Sequence, residues 1–272
     1  MFADSKNPLR PSSLDKLIKC PLWLVLSMGE PEDQGGIAAQ TGSLVHEAVA
    51  AFHLELDVNK KGEIGLATLS SSFPKFPLAD TTSARLSYTH YANDPRNYLA
   101  RIVEINGKFA IEYKVTLQLT PHPSDPTGEP VFIEGTLDQI RVDDDGGLYI
   151  YDVKTGSAKG GWEMIHEYAY QQAAYTLAAR QNGIPVNPGY IIRTYGYRVR
   201  GATLPSAEGV FFAMPFTIEV AHMLMERVAL EVANIRRNEV HVGPGVYCNY
   251  CQHGGLSRCI PKAEDTIGLK LA

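Results

Sequence analysis

The clearest pattern along the chain is strict alternation in "KFAIEYKVTLQL", residues 108–119, where Phe109, Ile111, Tyr113, Val115, Leu117 and Leu119 share one side. A period of two predicts a strand with one covered face. Residues 41–56, "TGSLVHEAVAAFHLEL", repeat at helical spacing instead, through Leu44, Val45, Ala48, Val49 and Phe52. Residues 12–28 open on serine caps and keep helical spacing, with Pro21 dividing them into two short pieces. No clear period marks residues 57–80, where "SSSFPKFPLAD" is turn-like, and a further helix is expected over 81–104. A Pro-rich loop, "TPHPSDPTGEP", precedes two strand-like runs around "DDDGG", residues 143–147. Residues 162–181 predict a helix closed by Asn182-Gly183 in a left-handed cap. "GYIIRTYGYRV" and "GVFFAMPF" supply two more strands, and "TIEVAHMLMERVALEVANIRRNE" a last long helix. Strands and helices mix without strict alternation. The expected fold is α/β, one domain with a central mixed sheet flanked by helices.

The hairpin carries the chemistry. With "DDDGG" as the connection, Val142 faces Leu148, Ile140 faces Ile150 and Asp138 faces Asp152. Alternation then puts Asp138, Asp152 and Lys154 on one face, and Ile133, Leu137, Tyr149, Tyr151 and Val153 on the other. Like charges opposite each other are normally avoided, and an uncompensated pair at a covered sheet is costly. A divalent cation removes that cost, and Mg²⁺ or Mn²⁺ favours such oxygen ligands. An ammonium beside it, Lys154, can orient a water molecule and stabilise charge on a phosphoryl group. The hairpin by itself also allows a surface ion pair of Asp152 with Lys154, with Asp138 facing solvent.

Composition narrows the class. At 272 residues, 44% hydrophobic and 20% charged, the chain can bury a core without disulfides. No run of 18 apolar residues occurs. The start, "MFADSKNPLRPSS", has no apolar signal segment, so a cytoplasmic protein is expected. A net charge of −5 argues against a surface coated for non-specific nucleic-acid binding but allows a local basic groove. "RTYGYRVR" offers one, interleaving Arg193, Arg198 and Arg200 with Tyr195 and Tyr197. That mixture suits phosphate contacts and base stacking, or equally an exposed strand with solvated arginines. Cys20 stands apart from Cys248, Cys251 and Cys259. In a reducing compartment such thiols point to a metal, and their spacing suits zinc or an iron–sulfur cluster alike.

Four short motifs now line up. Gly135-x-x-Asp138, Asp152-x-Lys154 and Gln171-x-x-x-Tyr175 resemble, in order, the motifs of the PD-(D/E)XK nuclease superfamily. Gly42-x-x-x-His46 upstream resembles the histidine motif of its RecB-like exonuclease branch. Leu137 stands where the family name has proline. The resemblance implies a restriction-endonuclease-like core in which His46, Asp138, Asp152 and the Val153 carbonyl hold Mg²⁺ or Mn²⁺. It implies that Lys154 positions the attacking water, and that Gln171 and Tyr175 contact the site or the DNA backbone. Glu112 and Glu134 lie on strands near the site as supporting groups, whereas His53 falls in no motif.

The split cysteines resemble those of the iron–sulfur RecB-like nucleases, CRISPR-associated exonucleases among them. They imply a [4Fe-4S] cluster on Cys20, Cys248, Cys251 and Cys259. Within one domain of residues 1–272, Cys20 and residues 248–259 would clasp a nuclease core of 42–216. The implied activity is a DNA exonuclease acting on single-stranded ends in recombination, repair or CRISPR-type processing. Partners would be DNA and recombination or adaptation proteins, with no membrane. The competing expectations are a catalytically idle nucleic-acid-binding or adaptor module and a structural zinc protein.

Overall fold

The computed structural model describes residues 2–27, 36–155, 161–194, 210–240 and Cys248. α1 (Leu14–Lys19) stops at Cys20, and α2 (Pro21–Ser27) starts at once. Pro21 lacks the N–H that would continue the first helix yet suits the first turn of the second. α3 (Ile37–Leu54) buries the expected apolar face, Leu44 through Phe52. α4 (Lys61–Ser72) takes up part of the stretch that the sequence leaves without a period. Its glycines and serines are poor helix formers, so packing decides here. α5 (Thr81–Ala92) supplies that packing: a Cβ on Gly65 would lie 2.0 Å from the Tyr88 Oη. α6 (Pro95–Tyr98) is separate from α5, which corrects the single helix expected over 81–104. The residue before a proline avoids helical geometry, and Asp94 instead caps α6, accepting from the Arg96 N–H at 3.0 Å.

Short strands β1 (Arg101–Ile102), β2 (Glu104–Ile105) and β3 (Lys108–Phe109) lead into β4 (Ile111–Leu119). The long hairpin strands β5 (Val131–Val142) and β6 (Leu148–Thr155) follow. α7 (Gly161–Gln181) connects β6 to β7 (Val186–Thr194), and β8 (Val210–Ala213) precedes α8 (Ile218–Arg236). The sheet is mixed, as expected. β5 pairs antiparallel with β1, β4 and β6, β7 runs parallel to β6, and β8 returns antiparallel. α1, α7 and α8 cover one face over Ile133, Leu137, Ile140 and Ile150. α3 and α5 cover the other over Tyr151, Val153 and Ile192. Among the described residues no helix is long and apolar enough to cross a membrane.

The hairpin keeps its expected register, with Val142 paired to Leu148, Ile140 to Ile150 and Gln139 to Tyr151. Gly146 makes the turn at φ +77°, donating to the Asp143 carbonyl at 3.0 Å. The face assignment needs correcting. Ile133 and Leu137 join Ile140 and Ile150 beneath α7, away from Tyr149, Tyr151 and Val153. Simple alternation cannot put both Leu137 and Ile140 on one face, so β5 turns over between them. There the β5–β6 ladder ends, and Asp138 is not Asp152's ladder partner. Instead the Val153 N–H donates to Asp138 Oδ2 at 2.6 Å, a carboxylate standing in for a strand carbonyl.

A buried polar network braces the same region. The Tyr91 hydroxyl accepts from Gln139 Nε2 at 2.7 Å and from the Arg141 guanidinium at 2.9 Å. Its own proton therefore goes to His53 Nε2, 2.5 Å away, which requires a neutral imidazole. Burial holds the His53 pKa well below its ordinary 6.5, and the charges of Arg141 and Lys61 push it the same way. The unfolded chain takes up this proton as pH falls through 6.5 while the folded chain refuses it, so stability is lost on the acid side. Thermal melting below that pH is expected to drop more steeply for the wild type than for His53→Gln. Parallel curves would show that His53 titrates normally in the fold.

Candidate active site

Three adjacent strands each present one acid. The β4–β5 pairs Ile111–Gln139 and Tyr113–Leu137 put Glu112 across from Asp138, and Asp152 lies on β6, the other neighbour of β5. Glu112 sits at φ +47°, a left-handed conformation uncommon for a residue with a Cβ. His46 reaches down from α3, its Nδ1 3.2 Å from Asp138 Oδ1 and 3.7 Å from Glu112 Oε1. One ligand atom each from His46, Glu112 and Asp138 fall within 4.8 Å of one another. On β6, Lys154 Nζ lies 3.0 Å and 2.8 Å from the two oxygens of Asp152. Gln171 on α7 donates to Asp152 Oδ1 at 3.2 Å.

These side chains open into a cleft of about 910 Å³ that Tyr175 also lines. The motif glycines make room for it. A Cβ on Gly42 would stand 3.1 Å from Thr155 Oγ1, so α3 lies close against the end of β6. A Cβ on Gly135 would stand 2.7 Å from Pro11 Cγ and 3.0 Å from Tyr175 Cε1, and would lever the tyrosine away from the strand.

The charges are mutually dependent. Burial alone would lower the His46 pKa, but the carboxylates of Asp138 and Glu112 outweigh it and lift it to about 10. Asp138 is lowered against its burial by the His46 charge and hydrogen bond, by Lys154 and by the Val153 N–H. Asp152 moves the other way, to about 6, because burial and the nearby Asp138 charge exceed what Lys154 restores. Lys154 stays protonated, since the two acids more than offset its burial. A covered carboxylate pushed upward beside a second acid fits a bound cation, whose charge reverses that shift. His46 nitrogen with carboxylate oxygens is a donor set for a divalent cation.

Other expected residues fall elsewhere. Glu134 is exposed on β5 opposite Thr116 and does not line the cleft. Arg193 is 2% exposed in mid-sheet, paired with Lys154 and Val210, rather than on an open strand facing solvent. Tyr195, Tyr197, Arg198 and Arg200 lie outside the described residues, as do Cys251 and Cys259. Cys20 is half-buried against the larger core, and Cys248 is half-buried as well. Val153 packs its side chain under α3 and α5. Sequence reasoning passed over Tyr168, whose ring centroid lies 4.9 Å from Lys154 Nζ. Its position three residues before Gln171, on the same helical face, was a signal in plain view.

The sequence profile of the PD-(D/E)XK nuclease superfamily matches residues 8–256. No curated protein matches the chain. One similar solved structure, "Crystal structure of SSO0001", is 16% identical, with 87% of this chain and 91% of that chain covered. It superposes with a TM-score of 0.33.

Proposed function

Because the chain belongs to the PD-(D/E)XK nuclease superfamily, we propose that it is a DNA exonuclease that uses Mg²⁺ or Mn²⁺ to hydrolyse phosphodiester bonds from single-stranded ends. The observation that carries this reading is the pair Asp138 and Asp152. They are joined through the Val153 N–H, with Lys154 on Asp152 and His46 on Asp138, at the floor of one cleft.

In this reading His46, Asp138, Asp152 and the Val153 carbonyl hold the cation, and Glu112 adds a further oxygen. When bound, it supplies Lewis acidity and lowers the pKa of a water ligand. Lys154 orients the attacking water and stabilises charge as it grows on the phosphoryl oxygens. Water attacks phosphorus in line with the 3′ oxygen, and the P–O3′ bond breaks as that oxygen takes a proton. Gln171 keeps Asp152 in place through its amide, and Tyr175 packs at the cleft wall beside the strand. Single strands are favoured because Lys154 is the one lysine or arginine lining the cleft among the described residues, while Phe76 and Leu54 offer apolar surface. Duplex binding depends on many phosphate contacts, and single-strand binding depends more on stacking.

The four cysteines, in the same reading, hold a [4Fe-4S] cluster that ties the chain ends together and takes no part in hydrolysis. Recombination, repair or CRISPR-type processing is the setting such an enzyme suits. One preparation tests these points together. Protein purified without oxygen is expected to be brown, and to shorten end-labelled single strands with Mn²⁺ and not with chelator. Colourless protein holding zinc would remove the cluster, and cleavage confined to internal duplex sites would remove the exonuclease.

A further inference from the structure

α7 grips both members of the Asp152–Lys154 pair. Gln171 donates to Asp152, and three residues earlier Tyr168 sets its ring under the ammonium of Lys154, 4.9 Å from Nζ to the ring centroid. Residues three apart share a helical face, so both contacts come from one rigid element. The ring is itself anchored, packing against Met164, Ile191 and Met214. A lysine side chain is long and loses much rotamer freedom when held in one place. The negative face of an aromatic ring attracts an ammonium, most strongly where water is excluded. Lys154 is 20% exposed and Asp152 2%, so this pair is largely out of water.

We propose that Tyr168 is a positioning residue that fixes the Lys154 ammonium over Asp152 through its ring, and that the phenol hydroxyl is dispensable. The inference rests on the nuclease reading for its effect on rate, and the contact itself can be read without turnover. Tyr168→Leu is expected to lower kcat about tenfold with KM for single-stranded DNA unchanged, and Tyr168→Phe to restore it. Incorporating phenylalanine with increasing ring fluorination at position 168 keeps the size nearly constant while weakening the negative face. kcat is expected to fall stepwise along that series, with melting temperatures level. In NMR spectra of the wild type, the Lys154 ε-methylene protons are expected upfield, shielded by the ring, and to move back in Tyr168→Leu.

A flat fluorination series, or a Phe variant as slow as Leu, would overturn the proposal. So would an unshielded Lys154 methylene, whatever the turnover. Shielding in a wild-type protein that cleaves nothing would keep the contact and remove the nuclease reading instead.

Discussion

Asp152→Ala and Lys154→Ala are each expected to abolish cleavage of single-stranded DNA in Mn²⁺ or Mg²⁺. Losses of on the order of 10³-fold or more are expected for the aspartate and about 10²–10³-fold for the lysine. In the proposed mechanism the aspartate variant loses an oxygen donor to the cation, on a side chain 2% exposed in the cleft. The lysine loses the one ammonium that lines it among the described residues. The two losses differ in cation uptake. Calorimetry is expected to show Mn²⁺ binding in the wild type and in Lys154→Ala, but none in Asp138→Asn or Asp152→Ala. Mn²⁺ should also raise the melting temperature of those variants that bind it, because a ligand that binds the folded state stabilises it. Full activity in either alanine variant would remove the site from these strands. Cation uptake unchanged in Asp138→Asn would remove that acid from the ligand set.

Gly189→Ala is expected to destabilise the fold by about 3 kcal/mol or more and to lower activity with it. The β6–β7 register shifts by one residue between Tyr149 and Tyr151, and Gly189 lies in the extra step on β7. A Cβ there would stand 1.7 Å from the Ile150 carbonyl oxygen and 2.5 Å from its carbon. Both atoms are backbone, so no side chain can rotate away. The two strands are forced apart at Ile150, close to Asp152 on the same strand. Denaturant midpoints measure the cost, and a variant within about 0.5 kcal/mol of wild type would show that β7 yields without strain.

Tyr168 contacts Lys154 from α7, and Gly189 lets β7 approach β6 at Ile150. Neither belongs to the motif series by which the sequence resembles its family.

The local grammar of the chain was legible because it rests on nearest neighbours. "DDDGG" set the hairpin and its register, with Gly146 at positive φ. Gly183, at φ +81°, closed α7 as the Asn-Gly pair implied. The helical period over 41–56 gave the buried face of α3, while His46, named by the motif resemblance and not by the period, lies 3.2 Å from Asp138. What the sequence hid depended on distant partners. α4 forms from weak helix residues because Gly65 fits beneath Tyr88. Glu112 enters the site through a backbone turned to positive φ where alternation predicted plain strand. Arg193, exposed by its polar neighbours in sequence, is buried by strands on both sides.

By itself, then, the sequence determined the hairpin turn and the apolar faces of the main helices, since periods of two and 3.6 residues and a tight turn leave little freedom, while its motifs named Asp138, Asp152, Lys154 and His46 only by resemblance. Only the tertiary structure decided how they meet. The β5 strand turns over at Asp138, whose carboxylate takes the Val153 N–H and so leaves the regular ladder. That exchange depends on burial from both sheet faces, a cooperative effect of packing that no local pattern encodes.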